Sequence, residues 1–517
     1  MQQPWWRDAV VYEVYVRSFA DSDGDGTGDL EGVHRHLDHL VELGVDALWL
    51  TPFYPSPMRD HGYDVADHVG VDPVFGDLAA FDRLLDGAHR HGLRVIVDLV
   101  PNHTSADHPW FRAALADPSS PLRARYLFRP SGPDGGPPNN WQSVFGGPAW
   151  TRDERSGEWY LHLFDHSQPD LDWRSPQVHE EFDAILRCWL DRGVDGFRID
   201  VAHGLYKQPA LADEPAADEG GIGAVARSFV WDQPEVVEVY RDWRTLTDSY
   251  PGDRMMVGEV FLFDVPRIAR YVGEDRLHQA FNFTLMRTPW DAAELRASVE
   301  MALGYFSPAT WVLSNHDLVR HVTRYGGGAL GRRRGLAAIA VLLALPGSVY
   351  LYQGEELGLD EGDVPADRRQ DPIFHRTGGA QDGRDGSRTP MPWTAAGPGH
   401  GFTTGEPWLP FGADAAALAV DVQAADPAST LSAYRRLTGL RRELLRGVDD
   451  DVRWLDAPPD VLAFRRSSGL VCVLSTATED VEVPVAGVGE VVVATVAGAA
   501  LADGVLTLPP AATAWLR

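Results

Sequence analysis

Short apolar runs alternate along this chain with segments whose apolar residues recur every three or four positions. VVYEVYV at 10–16 opens the series. DALWL (46–50), RVIVDLV (94–100), DGFRID (195–200), MMVGEV (255–260), HQAFNF (278–283), TWVLSN (310–315) and SVYLYQG (348–354) continue it. Most are apolar nearly throughout, as strands buried on both faces are. The intervening spacing predicts helices from Leu30 to Leu43 with Gly44 as a stop, from Asp77 to His91 closed by Gly92, over 183–193, over the apolar GLAAIAVLLAL (335–345), and over 429–444. Eight strands alternating with helices predict an α/β fold, a parallel sheet closed into a (β/α)8 barrel.

Two stretches leave this rhythm. Residues 104–172 follow the third strand, are rich in Pro, Gly and Asn (RPSGPDGGPPNNW), and carry a short strand pair around EWYLHLF. They predict a small inserted domain. From 447 onward the period drops to two: VLAFRR, LVCVLS, VEVPV, EVVVATV, VLTLPP and TAWLR are short strands divided by turns, the pattern of an all-β sandwich. The division is therefore barrel over 1–103, insert over 104–172, barrel again over 173–446, and a C-terminal sandwich over 447–517.

Composition narrows the partners. The net charge of −29 repels phosphate backbones and anionic lipid, which excludes nucleic acid and membrane surfaces and leaves neutral ligands open. No run of 18 apolar residues occurs, and the N-terminus lacks the layout of a signal peptide, so a cytoplasmic location is expected. Two distant cysteines, Cys188 and Cys472, make neither a disulfide framework nor a thiolate metal site. Lys207 is the only lysine, so Schiff-base chemistry has one candidate and no supporting context. Nothing here distinguishes a monomer from a homo-oligomer.

The C-terminal ends of barrel strands build active sites, and here they are loaded. Asp98, Asn102 and His103 end the third; Arg198 and Asp200 the fourth; Glu259 the fifth; Asn315, His316 and Asp317 the seventh. One Asp after a strand is most often a turn or a helix cap. Acids at four such ends crowd like charges into one cleft, which a fold tolerates mainly for function. Cleavage of a glycosidic bond needs two carboxyls, a nucleophile and an acid. Arg198 beside Asp200 is expected to hold that carboxyl ionised, while Glu259 follows the apolar MMVG and suits the acid.

DLVPNH (98–103), GFRID (196–200), GEV (258–260) and SNHD (314–317) resemble the four signature regions of glycoside hydrolase family 13, the α-amylase family, and QPDLDW (168–173) resembles a fifth. The resemblance covers nearly the whole chain. It implies a retaining mechanism through a covalent glycosyl-enzyme intermediate, with Asp200 as nucleophile, Glu259 as acid/base and Asp317 as a third carboxylate gripping sugar hydroxyls. His103 and His316 would bond the same sugar, and Arg198 would orient Asp200. HGYDVAD (61–67) resembles a sugar-stacking motif centred on Tyr63, and GRDGSRTPMPW (383–393) a segment of oligosaccharide α-glucosidases in which Arg388 would pair with Asp60 and close the pocket. Of the insert's aromatics Trp141, Phe145, Trp150, Trp159 and Tyr160, most are expected in that domain's own core and some at the substrate entrance, with Phe145 assigned to the pocket wall.

The resemblance thus implies an exo-acting α-glucosidase that releases glucose from the non-reducing end of short α-glucosides, with α-1,4 bonds favoured. An α-1,6-specific oligo-glucosidase, and a transglucosylase or sugar isomerase using the same intermediate, stay open; a non-catalytic sugar-binding or assembly subunit is remote, since all three acids are kept. DSDGDGTGD (21–29) adds a structural metal expectation: Asp21, Asp23, Asp25, the carbonyl of Thr27 and Asp29 form half of an EF-hand-like loop, whose hard oxygens suit Ca²⁺ or Mg²⁺. Related α-glucosidases carry a metal at this loop. No organic cofactor is expected.

Overall fold

A computed structural model describes residues 3–214 and 229–517. Eight parallel strands form one sheet: β1 Val10–Val14, β2 Ala47–Leu50, β3 Arg94–Leu99, β4 Gly196–Ile199, β5 Met255–Gly258, β6 Gln279–Ala280, β7 Thr310–Val312 and β8 Ser348–Tyr352. Hydrogen-bonded neighbours run β7-β8-β1-β2-β3-β4-β5-β6. The two end strands meet where the Thr310 hydroxyl donates to the Ala280 carbonyl, so the sheet curls into the expected barrel. Helices run between the strands, and none of the described helices is long and apolar enough to cross a membrane.

Local chemistry explains most boundaries. Asp77 caps the helix Leu78–Arg90 by accepting from Ala80 N at 2.7 Å. Gly44 and Gly193 end their helices in the left-handed region, φ 81° and 109°. The helix expected over 30–43 is instead two, Leu30–Arg35 and Leu37–Leu43. His36 breaks it: its Nδ1 donates to the Gly32 carbonyl at 2.8 Å, occupying the oxygen that the continuing helix would use. The sixth run supplies only two strand residues, because Asn282 accepts from Thr284 N and turns the chain into a 3₁₀ turn. The pair expected in the insert is a triplet, with Trp159–Leu161 between Phe128–Arg129 and Trp150–Arg152.

Register decides which side chains enter the barrel. Val11, Ala47, Trp49, Ile96, Met255, Val257, Phe281, Val312 and Tyr350 pack together as its interior, while Val10, Tyr12, Leu48, Val95 and Val97 belong to the larger core under the helices. Two residues further along the same inward columns the character changes. Val11 is followed by Glu13, Ile96 by Asp98, and Val257 by Glu259; Asp98 lies opposite Arg198 in the β3–β4 ladder. The apolar floor is thus capped by a charged layer at the C-terminal mouth.

The C-terminal strands form a five-stranded and a three-stranded sheet around Val461, Val471, Val483, Leu506 and Leu508. The outer face of the larger sheet docks on the helix Gly328–Ala344, where Trp515 Nε1 donates to Ala340 O at 3.0 Å and Thr513 Oγ1 to Ala337 O at 2.7 Å. Covered by the barrel on one side and by this sheet on the other, that helix is apolar all round from Gly335 to Ala344, after the arginines at 332–334.

Lys207 joins the insert to the barrel. Its Nζ, 1 % exposed, meets Asp170 Oδ2 at 2.6 Å, Asn102 Oδ1 at 2.8 Å and the Gly204 carbonyl at 2.6 Å. Three loops thereby share one buried cation, a structural post for the lone lysine. Lys207→Met strands Asp170 without a counter-charge, and urea unfolding is expected to show a loss of about 3–5 kcal/mol. An unchanged midpoint would mean the ammonium contributes nothing net.

Candidate active site

A cavity of about 390 Å³ opens at the C-terminal mouth of the barrel. Asp60, Tyr63, His103, Phe145, Asp200, Glu259 and Asp317 line it; Arg198, His316 and Arg388 stand behind this surface, each 1 % exposed or less.

Arg198 organises the floor. Its Nη1 donates to Asp200 Oδ1 at 2.6 Å and to Asp98 Oδ1 at 3.0 Å, and its Nη2 meets Glu259 Oε2 at 2.9 Å. Asp98 is pinned further by Trp49 Nε1 at 3.1 Å and the Tyr63 hydroxyl at 3.0 Å. One cation therefore serves three buried carboxyls. Burial pushes Asp98 up to about 6 despite Arg198. It also pushes Asp200 well above the ordinary range, with Glu259, Asp98 and Asp317 adding repulsion that Arg198 does not offset. Arg198 lowers Asp200 as expected, but in this crowded, dry layer burial and the neighbouring acids act more strongly than one ion pair. Val201, the next residue, is β-branched yet holds φ 45°, an uncommon strain that aims its N–H at Glu259 Oε2, 3.1 Å away.

The far end is closed by the loop after β8, and here the pairing differs from expectation. Arg384, not Arg388, meets Asp60: Nη2 to Oδ1 is 2.7 Å. Arg384 also reaches Asp317 at 3.1 Å and Asp371 at 2.6 Å, and its guanidinium lies over the Phe145 ring at 5.0 Å. Arg388 sits one layer deeper, donating to Asp317 Oδ1 at 2.8 Å and to the His316 carbonyl at 2.9 Å. A 3₁₀ turn over Asp385–Arg388 turns the second arginine inward while the first, just before it, faces the cavity. Burial opposes ionisation of Asp317, but His316, Arg384 and Arg388 hold it below the ordinary range. Sequence reasoning missed Arg384, although it lies within the quoted segment. It also gave no role to Gln168, whose Nε2 donates to Asp60 Oδ2 at 2.9 Å and lies 3.1 Å from His103 Nε2. Burial lowers His103 to about 4, so it is a neutral ring at physiological pH.

Tyr63 presents one face to His316, centroids 5.2 Å apart and planes 10° apart. Toward the mouth the walls become aromatic. Phe145, Phe164 and Trp231 form a chain of ring contacts at 5.5 and 6.3 Å, and Phe261 and Phe263 line the same cavity from the loop after β5. Trp141 and Trp150 belong to the insert's own core with Leu127, Leu161 and Leu163.

The acidic loop lies away from these acids. Carboxylate oxygens of Asp21, Asp23 and Asp29 converge within 4.8 Å of one another. Burial opposes ionisation of Asp21, but the Thr403 hydroxyl and the N–H groups of Gly24 and Gly26 pull it below its usual value. Asp29 Oδ1 caps the next helix at Gly32 N, 2.6 Å, and Oδ2 accepts from Ser22 N. Asp25 falls outside the three-acid group: its Oδ1 accepts from Thr27 N at 2.7 Å, an Asx turn that draws it aside. Three converging hard-oxygen donors fit a divalent cation. A second acid cluster, His61, Asp371 and Asp385, does not fit one: Arg17 donates to His61 Nδ1 at 2.7 Å, and Arg384 and Arg388 already supply the positive charge.

Comparisons agree with this geometry. The family model for the α-amylase catalytic domain matches residues 13–447. A probable α-glucosidase of Rhizobium meliloti (strain 1021) is 41 % identical over 488 residues, 90 % of this chain and 87 % of its own length. An oligo-1,6-glucosidase of Parageobacillus thermoglucosidasius is 36 % identical over 515 residues, 91 % and 89 % of the two chains. The crystal structure of an α-glucosyl transfer enzyme superposes with a TM-score of 0.93 at 41 % identity, covering 100 % of both chains.

Proposed function

Because this chain belongs to the α-amylase catalytic-domain family, we propose that it is a retaining, exo-acting α-glucosidase that takes glucose from the non-reducing end of short α-1,4-linked glucosides. The closed end of the cavity carries the exo reading. Arg384 ties Asp60, Asp317 and Asp371 together beyond the catalytic floor, a cross-brace that supports a blocked end on that side.

Asp200 attacks the anomeric carbon while Glu259 gives its proton to the departing glycosidic oxygen. A glucosyl ester on Asp200 results. Glu259, now a carboxylate, takes a proton from water as the water oxygen bonds to the anomeric carbon and the ester breaks. Adjacent nitrogens of Arg198 keep the two carboxyls side by side, as a double displacement needs. Asp317, Asp60, Arg384 and His103 bond sugar hydroxyls, and Phe145 forms part of the wall.

Transfer to an acceptor other than water is the second reading, favoured by the outer walls. Phe164, Trp231, Phe261 and Phe263 line that part of the cavity, and its Arg267 and Arg324 are already engaged with Asp232 and with backbone carbonyls. Such rings offer flat surfaces to an acceptor.

Products from maltose and isomaltose, measured side by side, test both. Faster glucose release from maltose supports the α-1,4 reading. Preference for isomaltose overturns that linkage and keeps the mechanism. Longer sugars in place of glucose move the enzyme to the transfer reading, and inactivity on both removes the substrate class.

The loop of Asp21, Asp23 and Asp29 would hold Ca²⁺ or Mg²⁺, which supplies charge neutralisation to the turn after β1 and no catalytic step. Added Ca²⁺ at a hundred times its Kd is expected to stabilise the fold by about 2.7 kcal/mol, read as a rise in Tm. Asp21→Asn should abolish that rise; an equal rise in the variant would place the ion elsewhere.

A further inference from the structure

We infer that Glu13 is a positioning residue for the reaction: it grips His316 by Nδ1 and thereby presents Nε2–H as a donor beside Asp317. This rests on the α-glucosidase reading of the same site.

Glu13 is a charged interruption in the apolar run VVYEVYV, and the barrel register turns it inward, 1 % exposed. Its Oε1 lies 2.5 Å from His316 Nδ1. The ring is clamped between Tyr63, centroids 5.2 Å apart, and Tyr15, 5.7 Å apart, with the Trp49 edge at 6.0 Å. It cannot turn to seek another partner. On its opposite edge Nε2 is buried, has no hydrogen-bond partner, and faces Asp317 Oδ2 at 3.4 Å.

That approach sets the tautomer. A bare Nε2 lone pair would confront the oxygen of an ionised carboxylate, whereas Nε2–H is attracted to it. With the Nε2 proton fixed, the neutral ring has a lone pair on Nδ1, and a protonated Glu13 is the donor that satisfies it. Burial pushes Glu13 well above its ordinary value, with Arg198 opposing and Asp317 and Asp98 adding to the rise. Burial likewise pushes His316 well down, against Asp317 and with Arg388 and Arg198. A neutral pair follows. Even if the shared proton moved to Nδ1, Nε2 would keep its own. Without Glu13, the δ tautomer becomes accessible and the donor at Asp317 is lost.

The test combines kinetics on p-nitrophenyl α-glucoside with ¹⁵N NMR of labelled histidines, His316→Gln identifying the relevant signals. Wild type should show a protonated Nε2 and an unprotonated or hydrogen-bonded Nδ1 in His316. Glu13→Gln, whose amide N–H donates as the acid does, should keep kcat/KM within about threefold, and Glu13→Leu should lose about 10²-fold. In the His316→Gln background Glu13→Leu should cost nothing further. An equal loss in both backgrounds, or an unprotonated Nε2 in wild type, overturns the assignment. If Glu13→Leu fails to fold, the Gln variant and the wild-type tautomer still decide. If wild type does not cleave the glucoside, the α-glucosidase reading falls, while the NMR signals judge Glu13 independently.

Discussion

Asp200→Asn is expected to lower glucose release from maltose by roughly 10⁴-fold or more while raising Tm. Loss of a covalent nucleophile leaves only the binding and electrostatic help of the remaining groups, and residual rates of that order are what such sites retain. The gain in stability has the same origin as the activity. Asp200 shares one guanidinium with Asp98 and Glu259, and burial raises it well above its ordinary value of 3.8. A raised acid binds its proton more tightly in the folded state. Its contribution is complete below the unfolded value and is lost as pH rises through the folded one. The variant has no such loss, so its Tm advantage should be absent in acid and grow toward neutral pH. Activity within tenfold of wild type would remove Asp200 from the nucleophile's role. A Tm below wild type at neutral pH would mean that its bond to Arg198 outweighs the crowding.

Arg384→Leu should cost about 3–5 kcal/mol in urea unfolding and about 10²-fold in maltose turnover. Asp60 and Asp371 are 3 % exposed or less, and each has Arg384 within 2.7 Å. Removing the cation leaves both acids to be neutralised or exposed. Burial works against ionisation of Asp371, but Arg384 and Arg388 hold it below its ordinary 3.8. A depressed acid contributes stability above its unfolded value and loses it as pH falls through the folded one. The gap between wild type and variant should therefore be widest at neutral pH and narrow in acid. The turnover loss follows from a sugar no longer stopped at the closed end. Arg388→Leu provides the contrast: Arg388 does not touch Asp60, so loss of exo selectivity should follow Arg384 alone. If the two variants behave alike in selectivity, the closure belongs to the loop as a whole.

Much of this site is set by periodicity. A strand in a barrel presents alternate residues inward, so an acid at a fixed step from an apolar inward residue must point to the mouth. Asp98 and Glu259, two steps after Ile96 and Val257, could be placed that way because the rule is local and needs only the strand's phase; Asp200 follows Arg198 in its own inward column. Asp317, just beyond β7, follows from the same end-of-strand logic.

The sequence alone therefore determined the eight strands and their order, the mouth as the place of chemistry, and the acids that meet there. Tertiary structure decided what depends on chain paths far apart. Arg384 and Arg388 lie four residues apart in one loop, and only the path of that loop against Asp60, more than three hundred positions earlier, selects the first. Glu13 reads as a stray charge until β1 and the residues after β7 are brought together around His316. The pKa of Asp200 is not set by its neighbour Arg198 alone: the arginine lowers it, while burial and the surrounding acids raise it. Local pattern carries the phase of a strand; solvation and long-range pairing exist only once the barrel has closed.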